Sequence, residues 1–462
     1  MQRKQLYTCL FFFLPLLFYF SENISLVDLG IWIAQGRHAL EHHQILRHDV
    51  FSVFSTGDLI YPVGVCLFYG ILDHFGGLLL VSFFHKLCVL TYLGLVYYFC
   101  LKPLRNPWSN RNLLIVGFSL LGSFCLFADR PAEVAIVPFF VAYLILDDKT
   151  PLSTFQRVSL CALTTLWVNI HGSWILLPLM FAWRTGMRVF FKKEKYSALD
   201  SLTGIGIFLA SLLNPFTWKV YPLLFQTVRI SRRLGVDEWA VTWLKPYFPQ
   251  GLLFFILFAV GIIYLNKRKK LTEILDSPFF PLVILGFSAI RNTVWPFFAL
   301  IPFTLRSGLL LPHTDFHDKP KRLNTLIATG VFLITLARIP LTQKNAAFSS
   351  TAPWGAMEAI QKSSRPGPVF NSMQYGSTLA YAQKNPYFLD IRYTIYSESE
   401  YREYFTANEG KTSWDSILNH YSVRFALLDA KKSKLASVLR LKIQDWRVLW
   451  EDSDTVLFEK QK

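Results

Sequence analysis

Charged and amide side chains stand at the points where long apolar stretches of this sequence are interrupted. The residues concerned are Asp28, Asp129, Arg130, Asn169, His171, Glu238, Arg291 and Asn292. A carboxylate can accept the proton of a hydroxyl group, and the planar guanidinium group of arginine stays charged and can bind phosphate oxygens in pairs. These residue types could therefore bind an anionic ligand and take part in proton transfer.

The composition indicates that the interrupted stretches belong to a membrane protein. Of 462 residues, 52% are hydrophobic and 17% are charged, whereas soluble domains average about 25% charged residues. The mean hydropathy is +0.33, and a soluble protein of this size could not bury so much apolar surface. The formal net charge of +16 would suggest nucleic acid for a soluble protein. Here it is typical of basic cytoplasmic loops, and we expect no nucleic-acid partner.

The apolar stretches predict an α-helical polytopic protein, because a spanning helix needs about 20 mostly apolar residues. The eleven predicted spans are 5–21, 77–100, 112–127, 131–146, 155–169, 172–187, 198–213, 250–266, 276–290, 294–309 and 323–340. No small-residue cleavage site follows the first span, so we interpret it as a retained helix and not as a signal peptide. The apolar segment 59–74 would break the alternation of loops, and we expect an interfacial or re-entrant helix there.

Charge sorts the loops between these spans into two sets. The positive-inside rule assigns the compact, mostly basic set to the cytoplasm, and it comprises 1–4, 102–111, 147–157, 188–195, 266–270 and 319–322. The outer set, which contains or adjoins every candidate residue, comprises 22–76, 128–130, 170–171, 214–249 and 291–293. The N-terminus is then cytoplasmic and the C-terminus extracytoplasmic. Arg229, Arg232 and Arg233 lie outside against the rule, which suggests an anionic ligand.

The sequence changes character from Ser349 onward, where charges become frequent and no long apolar run remains. Strands are predicted at 368–370, 387–389, 425–428 and 455–458, and helices at 399–406 and 413–421. About 110 residues can form a core of their own. We therefore predict a transmembrane domain at 1–345, with outer loops 22–76 and 214–249, followed by a small soluble extracytoplasmic α/β domain at 346–462.

Several candidates also have a structural interpretation. Asp28 could cap a helix at 29–40, Asp129 and Arg130 could pair across a turn, and His171 could be satisfied at a helix end. Arg291 has no acidic neighbour in the sequence, which favours an anionic ligand. In the C-terminal domain, structural pairing is the better explanation of Asp390 and Arg392, while ligand contact stays open.

The order of these residues resembles that of the class-C glycosyltransferase superfamily of membrane enzymes, which use polyprenyl-phosphate-linked sugars as donors. More closely, the chain is similar to a bacterial branch with a C-terminal soluble domain. The matching motifs are Asp28, Gly36-Arg37, Asp49-Val50-Phe51-Ser52, Arg130-Pro131, Trp167-Val168-Asn169-Ile170-His171-Gly172, Leu213-Asn214-Pro215-Phe216, Glu238-Trp239, Arg291-Asn292, Val369-Phe370-Asn371, Tyr375-Gly376, Leu389-Asp390-Ile391-Arg392 and Trp446 with Trp450-Glu451-Asp452.

The resemblance implies transfer of a sugar to an envelope lipid, glycan or protein on the outer face of the bacterial inner membrane. Asp28 resembles the superfamily's general base, and Glu238 would orient Asp28 or the acceptor. The substrate-binding candidates are Arg130, His171, Arg291, Asn292, Asn169, Asp129 and Arg37. The expected partners are the polyprenyl-phosphate sugar, membrane lipids and the acceptor.

This chain departs from the superfamily pattern around Asp28. The usual Trp-His after the acidic residue, a second acidic residue nearby and an Asp-x-Asp metal pair are all missing. The six cysteines lie in or beside apolar stretches, which argues against a disulfide framework and a cysteine zinc site. We expect no cofactor, although a divalent metal stays open. The alternative function is a non-catalytic scaffold or a transporter in envelope assembly, but a transporter usually shows paired half-sites near the midplane.

Overall fold

The protein is described here from a computed structural model. The structure describes residues 25–54, 61–105, 107, 109–123, 126, 130–193, 197–242, 249–268, 275–306, 352–363, 365–382 and 385–461. The predicted spans 5–21 and 323–340 and the candidate Asp129 lie outside the described residues.

Helices dominate the described part of the chain. The α-helices are α1 Leu26–Glu41, α2 Gly64–Val96, α3 Asn110–Ser123, α4 Pro131–Val134, α5 Ile136–Leu146, α6 Thr154–Val168, α7 Leu176–Gly186, α8 Ala198–Ser211, α9 Val220–Arg233, α10 Pro249–Arg268, α11 Phe279–Ser288, α12 Val294–Arg306, α13 Trp354–Lys362, α14 Gly376–Ala382, α15 Glu398–Asn408, α16 Trp414–His420 and α17 Lys434–Leu441. Two π-helical turns, Tyr97–Leu101 and Met187–Phe191, extend α2 and α7. Short 3₁₀ turns are Gly172–Ile175, Thr217–Lys219, Asp237–Trp239, Ile290–Thr293, Met373–Tyr375 and Tyr393–Ile395.

Helices occur at every predicted span that falls within the described residues. Among those residues, only Gly64–Leu101 is long and apolar enough to cross a membrane by length and composition alone. Shorter apolar helices lie at Arg111–Ser123, Pro131–Leu146, Ala198–Ser211, Gln250–Gly261 and Phe279–Ser288. The predicted number of eleven spans is therefore not confirmed, whereas the largely helical architecture is.

The helix at Gly64–Leu101 is divided at Gly77. An unbroken helix of its 38 residues would be about 57 Å long, roughly twice the hydrocarbon thickness of a bilayer. Gly77 has φ 62° and ψ −161°, a conformation that glycine adopts without the penalty of a side chain. The break coincides with the predicted start of the span 77–100. The segment predicted at 59–74 forms the helical turns from Gly64 up to this break.

The described residues divide into two compact units. The first unit comprises those within Phe83–Trp218 and Ser231–Ala346. The second comprises those within Asn23–Ser82, Lys219–Ile230 and Ala347–Lys462. This grouping differs from the predicted division at 345/346, because most of the predicted first outer loop packs with the C-terminal segment.

A four-stranded sheet forms the centre of the second unit. The strands β1 Val369–Asn371, β2 Phe425–Asp429, β3 Trp446–Glu451 and β4 Thr455–Lys460 are ordered β1-β2-β4-β3. The β1–β2 pair is parallel and the other pairs are antiparallel. The sequence predicted β1, β2 and β4. It missed β3, which lies at the sheet edge, is largely exposed and contains a bulge between Val448 and Trp450, so its apolar residues do not follow the alternation that marks a strand.

The motif at residues 49–52 joins this sheet through Tyr387. Ser52 and Tyr387 form a parallel bridge, and Tyr387 also bridges to Val369 of β1. The Val53 amide donates to the Tyr387 carbonyl at 2.8 Å, and the Ser52 hydroxyl donates to the Phe388 carbonyl at 2.6 Å. In place of the predicted strand at 387–389 there is an isolated bridge at Tyr387, which pairs with Ser52 on one side and with Val369 on the other.

Arg392 holds the same motif through a buried ion pair. Its Nη1 lies 2.9 Å from Oδ1 of Asp49, and its Nη2 lies 2.6 Å from Oδ2 of Asp390. The three side chains are at most 2% exposed, and Tyr387 donates a further hydrogen bond to Asp390 at 2.5 Å. Asp390 and Arg392 thus form the structural pair that the sequence favoured.

Helix α1 lies against its neighbours in the second unit at two glycines. A Cβ atom at Gly36 would overlap the backbone of Cys66 and Gly70, and one at Gly30 would overlap the backbone of Ser377 in α14. The glycine of the Gly36-Arg37 motif is therefore explained by the close crossing of α1 and α2, which leaves no room for a side chain.

Aromatic side chains form the core of the first unit. The ring of Phe139 in α5 lies 5.0 Å from that of Trp295 in α12 and 6.2 Å from that of Trp167 in α6. Tyr92 of α2 contacts Phe298 edge to face at 5.2 Å. These packed rings fix the ends of α5, α6 and α12, where the candidate polar residues lie.

Candidate functional site

Three candidate residues of the first unit lie where its helices begin. Arg130 immediately precedes α4, which has proline at its first position, a favourable residue there because the missing N–H would be unpaired anyway. His171 is the N-cap of the turn Gly172–Ile175 that leads into α7. Arg291 lies in the turn Ile290–Thr293 that separates α11 from α12. The polar breaks between short apolar stretches of the sequence thus correspond to helix ends in the structure.

Glu238 brings two of these residues together. Nη1 of Arg130 donates to Oε2 of Glu238 at 3.3 Å, and Nη1 of Arg291 donates to Oε1 at 3.1 Å. The side chains are 25%, 36% and 23% exposed for Arg130, Glu238 and Arg291 respectively. The charge of Arg291, assisted by that of Arg130, lowers the pKa of Glu238 against the opposing effect of burial. The carboxylate is therefore ionised and bridges two guanidinium groups.

Trp239 fixes the position of the Arg291 side chain. The guanidinium carbon of Arg291 lies 4.4 Å from the centre of the Trp239 ring, a favourable cation–π contact. The Ile290 amide donates to the Ala240 carbonyl at 3.0 Å, so the segment carrying Glu238 is also held by backbone. Because both charge and ring position Arg291, its guanidinium group is preorganised.

Arg232 explains part of the basic stretch that the sequence placed outside. Its Nη2 donates to the Ser288 carbonyl at 2.6 Å, and its Nε donates to the Trp239 carbonyl at 3.2 Å. These bonds fasten the end of α9 to the segment that carries Glu238 and to the end of α11. Arg232 therefore has a structural role that needs no anionic ligand.

His171 is a neutral imidazole beside the two arginines. Its Nδ1 accepts a hydrogen bond from the Ser173 amide at 3.1 Å and lies 2.8 Å from the Ser173 hydroxyl. That hydroxyl oxygen accepts from Trp167 Nε1 at 3.0 Å, so its own hydrogen can point to Nδ1. Burial, then the charges of Arg291 and Arg130, lower the pKa of His171 to about 3. An accepting Nδ1 assigns the proton to Nε2.

The cluster of Arg130, His171, Glu238 and Arg291 has the properties of an anion-binding site. It contains two guanidinium groups, one carboxylate and a neutral imidazole whose Nε2–H can donate. The Glu238 bond uses only one of the five donors that a guanidinium group carries. A phosphate group could displace or share Glu238 and bind the arginines through charge-assisted hydrogen bonds, which are about twice as strong as neutral ones.

The two candidate asparagines stabilise helix ends near the cluster. Nδ2 of Asn169 donates to the carbonyls of Thr165 and Leu213, both at 2.9 Å, which joins the end of α6 to the end of α8. Nδ2 of Asn292 donates to the Ser288 hydroxyl at 2.9 Å. Their amide donors serve protein contacts, and a role in substrate binding stays a prediction.

The sequence expectation for Arg291 changes with the tertiary structure. Arg291 has no acidic residue near it in sequence, yet Glu238 lies beside it after a separation of 53 residues. The ion pair means that Arg291 alone does not demand an anionic ligand. Two arginines that share one carboxylate favour an anionic ligand more than Arg291 alone does.

Asp28 and Arg37 belong to the second unit, on helix α1. This helix begins at Leu26 after the N-cap Ser25, so the alternative that Asp28 caps a helix at 29–40 is wrong. Asp28 lies half-buried in the first turn, where the helix dipole stabilises a carboxylate. It is the first acidic residue of the helix and stays the predicted base.

Arg37 is already engaged by protein groups. It pairs with the buried carboxylate of Asp73 and donates to the Tyr381 carbonyl at 3.2 Å, and its guanidinium carbon lies 4.2 Å from the centre of the Tyr381 ring. Asp73 was not singled out in the sequence, because nothing local links it to Arg37. Substrate binding by Arg37 stays a prediction.

The described residues do not fit a metal ion. Among them, no group of three histidine, cysteine, aspartate or glutamate side chains is placed to hold one. The described cysteines Cys66, Cys88, Cys100 and Cys161 are free thiols. We therefore derive no chemical step through a metal.

Comparison with known proteins places the fold. No model of a protein family matches the chain, and no curated protein sequence matches it. Among solved structures, the chain is similar to the oligosaccharyltransferase AglB of Archaeoglobus fulgidus in complex with an inhibitory peptide and a dolichol-phosphate. The identity is 11% and the TM-score 0.54, with 93% of this chain and 70% of AglB covered.

Two further structures extend the comparison. The apo form of the Archaeoglobus fulgidus oligosaccharyltransferase shows 12% identity and a TM-score of 0.53, with 88% of this chain and 66% of that chain covered. ArnT from Cupriavidus metallidurans bound to undecaprenyl phosphate shows 14% identity and a TM-score of 0.48, with 97% of both chains covered. This chain thus spans about two thirds of the length of the oligosaccharyltransferases.

The chain has the fold of the class-C membrane glycosyltransferases, which confirms the fold that the order of its motifs predicted. The described residues add a small C-terminal sheet to this largely helical fold.

Proposed function

We propose that the protein is a membrane glycosyltransferase. It transfers a sugar from a polyprenyl-phosphate-linked donor to an envelope lipid, glycan or protein on the outer face of the bacterial cytoplasmic membrane. The observation that carries this proposal is the cluster in which Arg130 and Arg291 share Glu238 beside His171. The AglB structure, which contains a dolichol-phosphate, supports a lipid phosphate as the ligand of such a fold.

The arginines act on the leaving group of the reaction. The acceptor oxygen attacks the anomeric carbon of the sugar, and the bond from that carbon to the phosphate oxygen breaks. Negative charge then grows on the departing polyprenyl phosphate, where preorganised cations lower the barrier. Arg291 is held for this role by Glu238 and Trp239, and the Nε2–H of His171 adds a neutral donor.

Asp28 is the proposed general base. It takes the proton of the acceptor hydroxyl as the new glycosidic bond forms, and the proton later passes to solvent. Glu238 is a poor base, because its pKa is lowered by Arg291 and a base of low pKa accepts protons weakly. We therefore propose that Glu238 positions the arginines, while its role in orienting Asp28 or the acceptor stays a prediction.

A non-catalytic scaffold of the same fold is the second candidate. It is favoured by the missing histidine and second acidic residue around Asp28. Such a scaffold would need neither donor binding nor turnover, whereas the transferase requires both. Donor binding followed by transfer therefore separates the two functions.

The test of the proposal is titration of the purified full chain in lipid nanodiscs with polyprenyl phosphate and a series of polyprenyl-phosphate sugars. Wild-type protein is expected to bind one of them, and Arg130→Ala or Arg291→Ala to weaken that binding about tenfold or more, since a charged hydrogen bond contributes about 1.5–3 kcal/mol. Lys219→Ala is the matched control, because Lys219 is exposed just before α9 and should leave affinity unchanged. Unchanged affinity in both cluster variants would show that the arginines are structural.

A further inference from the structure

A polar cavity lies in the first unit, at the opposite ends of the helices that carry the arginine cluster. The helical segment from Pro131 to Leu146 begins beside Arg130, and its 16 residues make it about 24 Å long. Helix α7 and its π-helical turn run from the side of His171 to Phe191. Helices α11 and α12 both meet Arg291 at one end. The cavity has a volume of about 340 Å³ and is lined by Leu146, Asp147, Asp148, Lys149, Arg184, Arg188, Lys192, Asp276, Ser277, Phe303 and Arg306.

Positive charge predominates in this cavity. Five lysine and arginine side chains line it against three aspartates. Each aspartate already has a partner: Lys192 lies 2.6 Å from Asp276, and Asp148 accepts from the Thr150 amide and hydroxyl, both at 2.9 Å. Asp147 accepts from Ser277 at 2.9 Å. Burial also raises the pKa of Asp147, which weakens its competition for the cations.

Buried hydrogen bonds build the walls of the cavity. Arg184 is only 4% exposed, and its Nη2 donates to the carbonyls of Asp148 and Thr150 at 2.9 and 2.6 Å. Nη1 of Arg306, at the end of α12, donates to the Leu144 carbonyl at 3.3 Å. These bonds tie the chain after α5 to α7 and tie α5 itself to α12, so the basic lining is held in place by the fold.

The surroundings of the cavity favour a lipid over a soluble anion. Phe190 and Phe191 of the π-helical turn are 80% and 70% exposed, and they lie between Arg188 and Lys192, which line the cavity. Apolar side chains that alternate with cations in this way are typical of a segment at the bilayer surface. The lining loops also belong to the basic set that the positive-inside rule assigns to the cytoplasm, where anionic lipid headgroups attract cations.

We propose that this cavity binds the phosphate headgroup of an anionic membrane phospholipid. The headgroup phosphate would contact Lys149, Arg188 and Arg306, and the acyl chains would lie along the exposed phenylalanines. The lipid would then link the ends of α5, α7 and α12 at the face opposite the arginine cluster. The proposal does not rest on sugar transfer, because none of its residues belongs to that cluster.

Lipid retention by the purified full chain tests the proposal. The protein in detergent is titrated with phosphatidylglycerol, with phosphatidylcholine and with inorganic phosphate, and bound lipid is counted by native mass spectrometry while the thermal unfolding midpoint is recorded. We expect wild-type protein to bind phosphatidylglycerol at least tenfold more tightly than phosphatidylcholine. The paired variant Lys149→Gln with Arg188→Gln should lose about 25-fold in affinity, since each surface cation contributes about fivefold.

The matched control is Arg105→Gln with Lys193→Gln, which removes two exposed cations from the same set of loops outside the cavity lining. It should retain wild-type affinity. Equal losses in both paired variants would overturn the proposal in favour of general surface charge. Stabilisation by inorganic phosphate without preference for phosphatidylglycerol would overturn it in favour of a soluble anion. Should the cavity pair fail to fold, Lys149→Glu at an exposed position gives the same test, with a loss expected.

Discussion

Nη1 of Arg291 lies 3.1 Å from Oε1 of Glu238, while Arg130 pairs with the other oxygen of the same carboxylate. One anion thus holds two cations that come from helix ends far apart in sequence. Without it, the guanidinium groups would repel each other. The carboxylate also occupies donors that a phosphate would otherwise use, so it both positions the arginines and competes for them.

Substitution Glu238→Gln should separate these two effects. Loss of the negative charge removes the competitor, so polyprenyl phosphate should bind more tightly, by about fivefold or more, while sugar transfer falls because the arginines are less well positioned. Binding is measured by titration in nanodiscs and transfer by product formation. Glu238→Asp keeps the charge and should restore weaker phosphate binding. Looser phosphate binding by Glu238→Gln would mean that positioning outweighs competition.

Substitution Asp28→Asn tests the proposed base. The amide cannot accept the acceptor proton, so transfer should fall by 100-fold or more, the range typical of general base catalysis, while donor affinity and expression stay unchanged. Glu41→Gln serves as the control, since Glu41 is exposed at the other end of α1 and should leave transfer intact. An active Asp28→Asn enzyme would remove Asp28 from this role.

The neutral state of His171 predicts a characteristic dependence on pH. Its pKa is about 3 in the folded protein, against an ordinary value of 6.5, so the unfolded chain binds a proton at a pH where the folded chain does not. The contribution of His171 to stability is therefore complete above about pH 6.5 and is lost as the pH falls towards 3, by at most about 1.4 kcal/mol per pH unit.

Thermal unfolding from pH 4 to 8 measures this dependence. His171→Gln should flatten the loss of stability on the acidic side, since glutamine does not titrate, and it should keep donor affinity within a few-fold because its amide can replace the Nε2–H donor. His420→Gln, at an exposed position, should leave the profile unchanged. A wild-type donor affinity that titrates near pH 6.5 and loses that titration in His171→Gln would contradict a neutral imidazole.

The buried pair of Asp49 and Arg392 predicts a large effect on stability. Arg392→Met would leave Asp49 and Asp390 buried without a cation, which should cost about 3–5 kcal/mol. Arg440→Met is the control, because Arg440 and Glu451 form an exposed pair whose loss should cost no more than about 1 kcal/mol. The comparison is made by chemical unfolding of the full chain. Similar small effects in both variants would show that Arg392 does not hold the motif at 49–52 in place.

Local patterns in the sequence were sufficient for the helix ends and most of the strands. Arg130, His171 and Arg291 stand where apolar runs stop, and a polar residue at such a break marks the end of a helix. The strands β1, β2 and β4 are buried apolar runs and were predicted, whereas β3 was missed because most of its apolar residues are not fully buried and a bulge breaks their alternation.

The sequence by itself determined a largely helical, apolar chain, where its helices end and, through the order of its motifs, which fold it adopts. Hydrophobic runs and helix-end residues depend on residues close to them in the sequence, so they can be recognised from one sequence alone. Only the tertiary structure decided that Glu238 joins Arg130 to Arg291, that Arg392 pairs with Asp49, and that the basic loops enclose a cavity. The partners in these pairs lie between 53 and 343 residues apart, and no local pattern records a contact that exists only after the helices have packed.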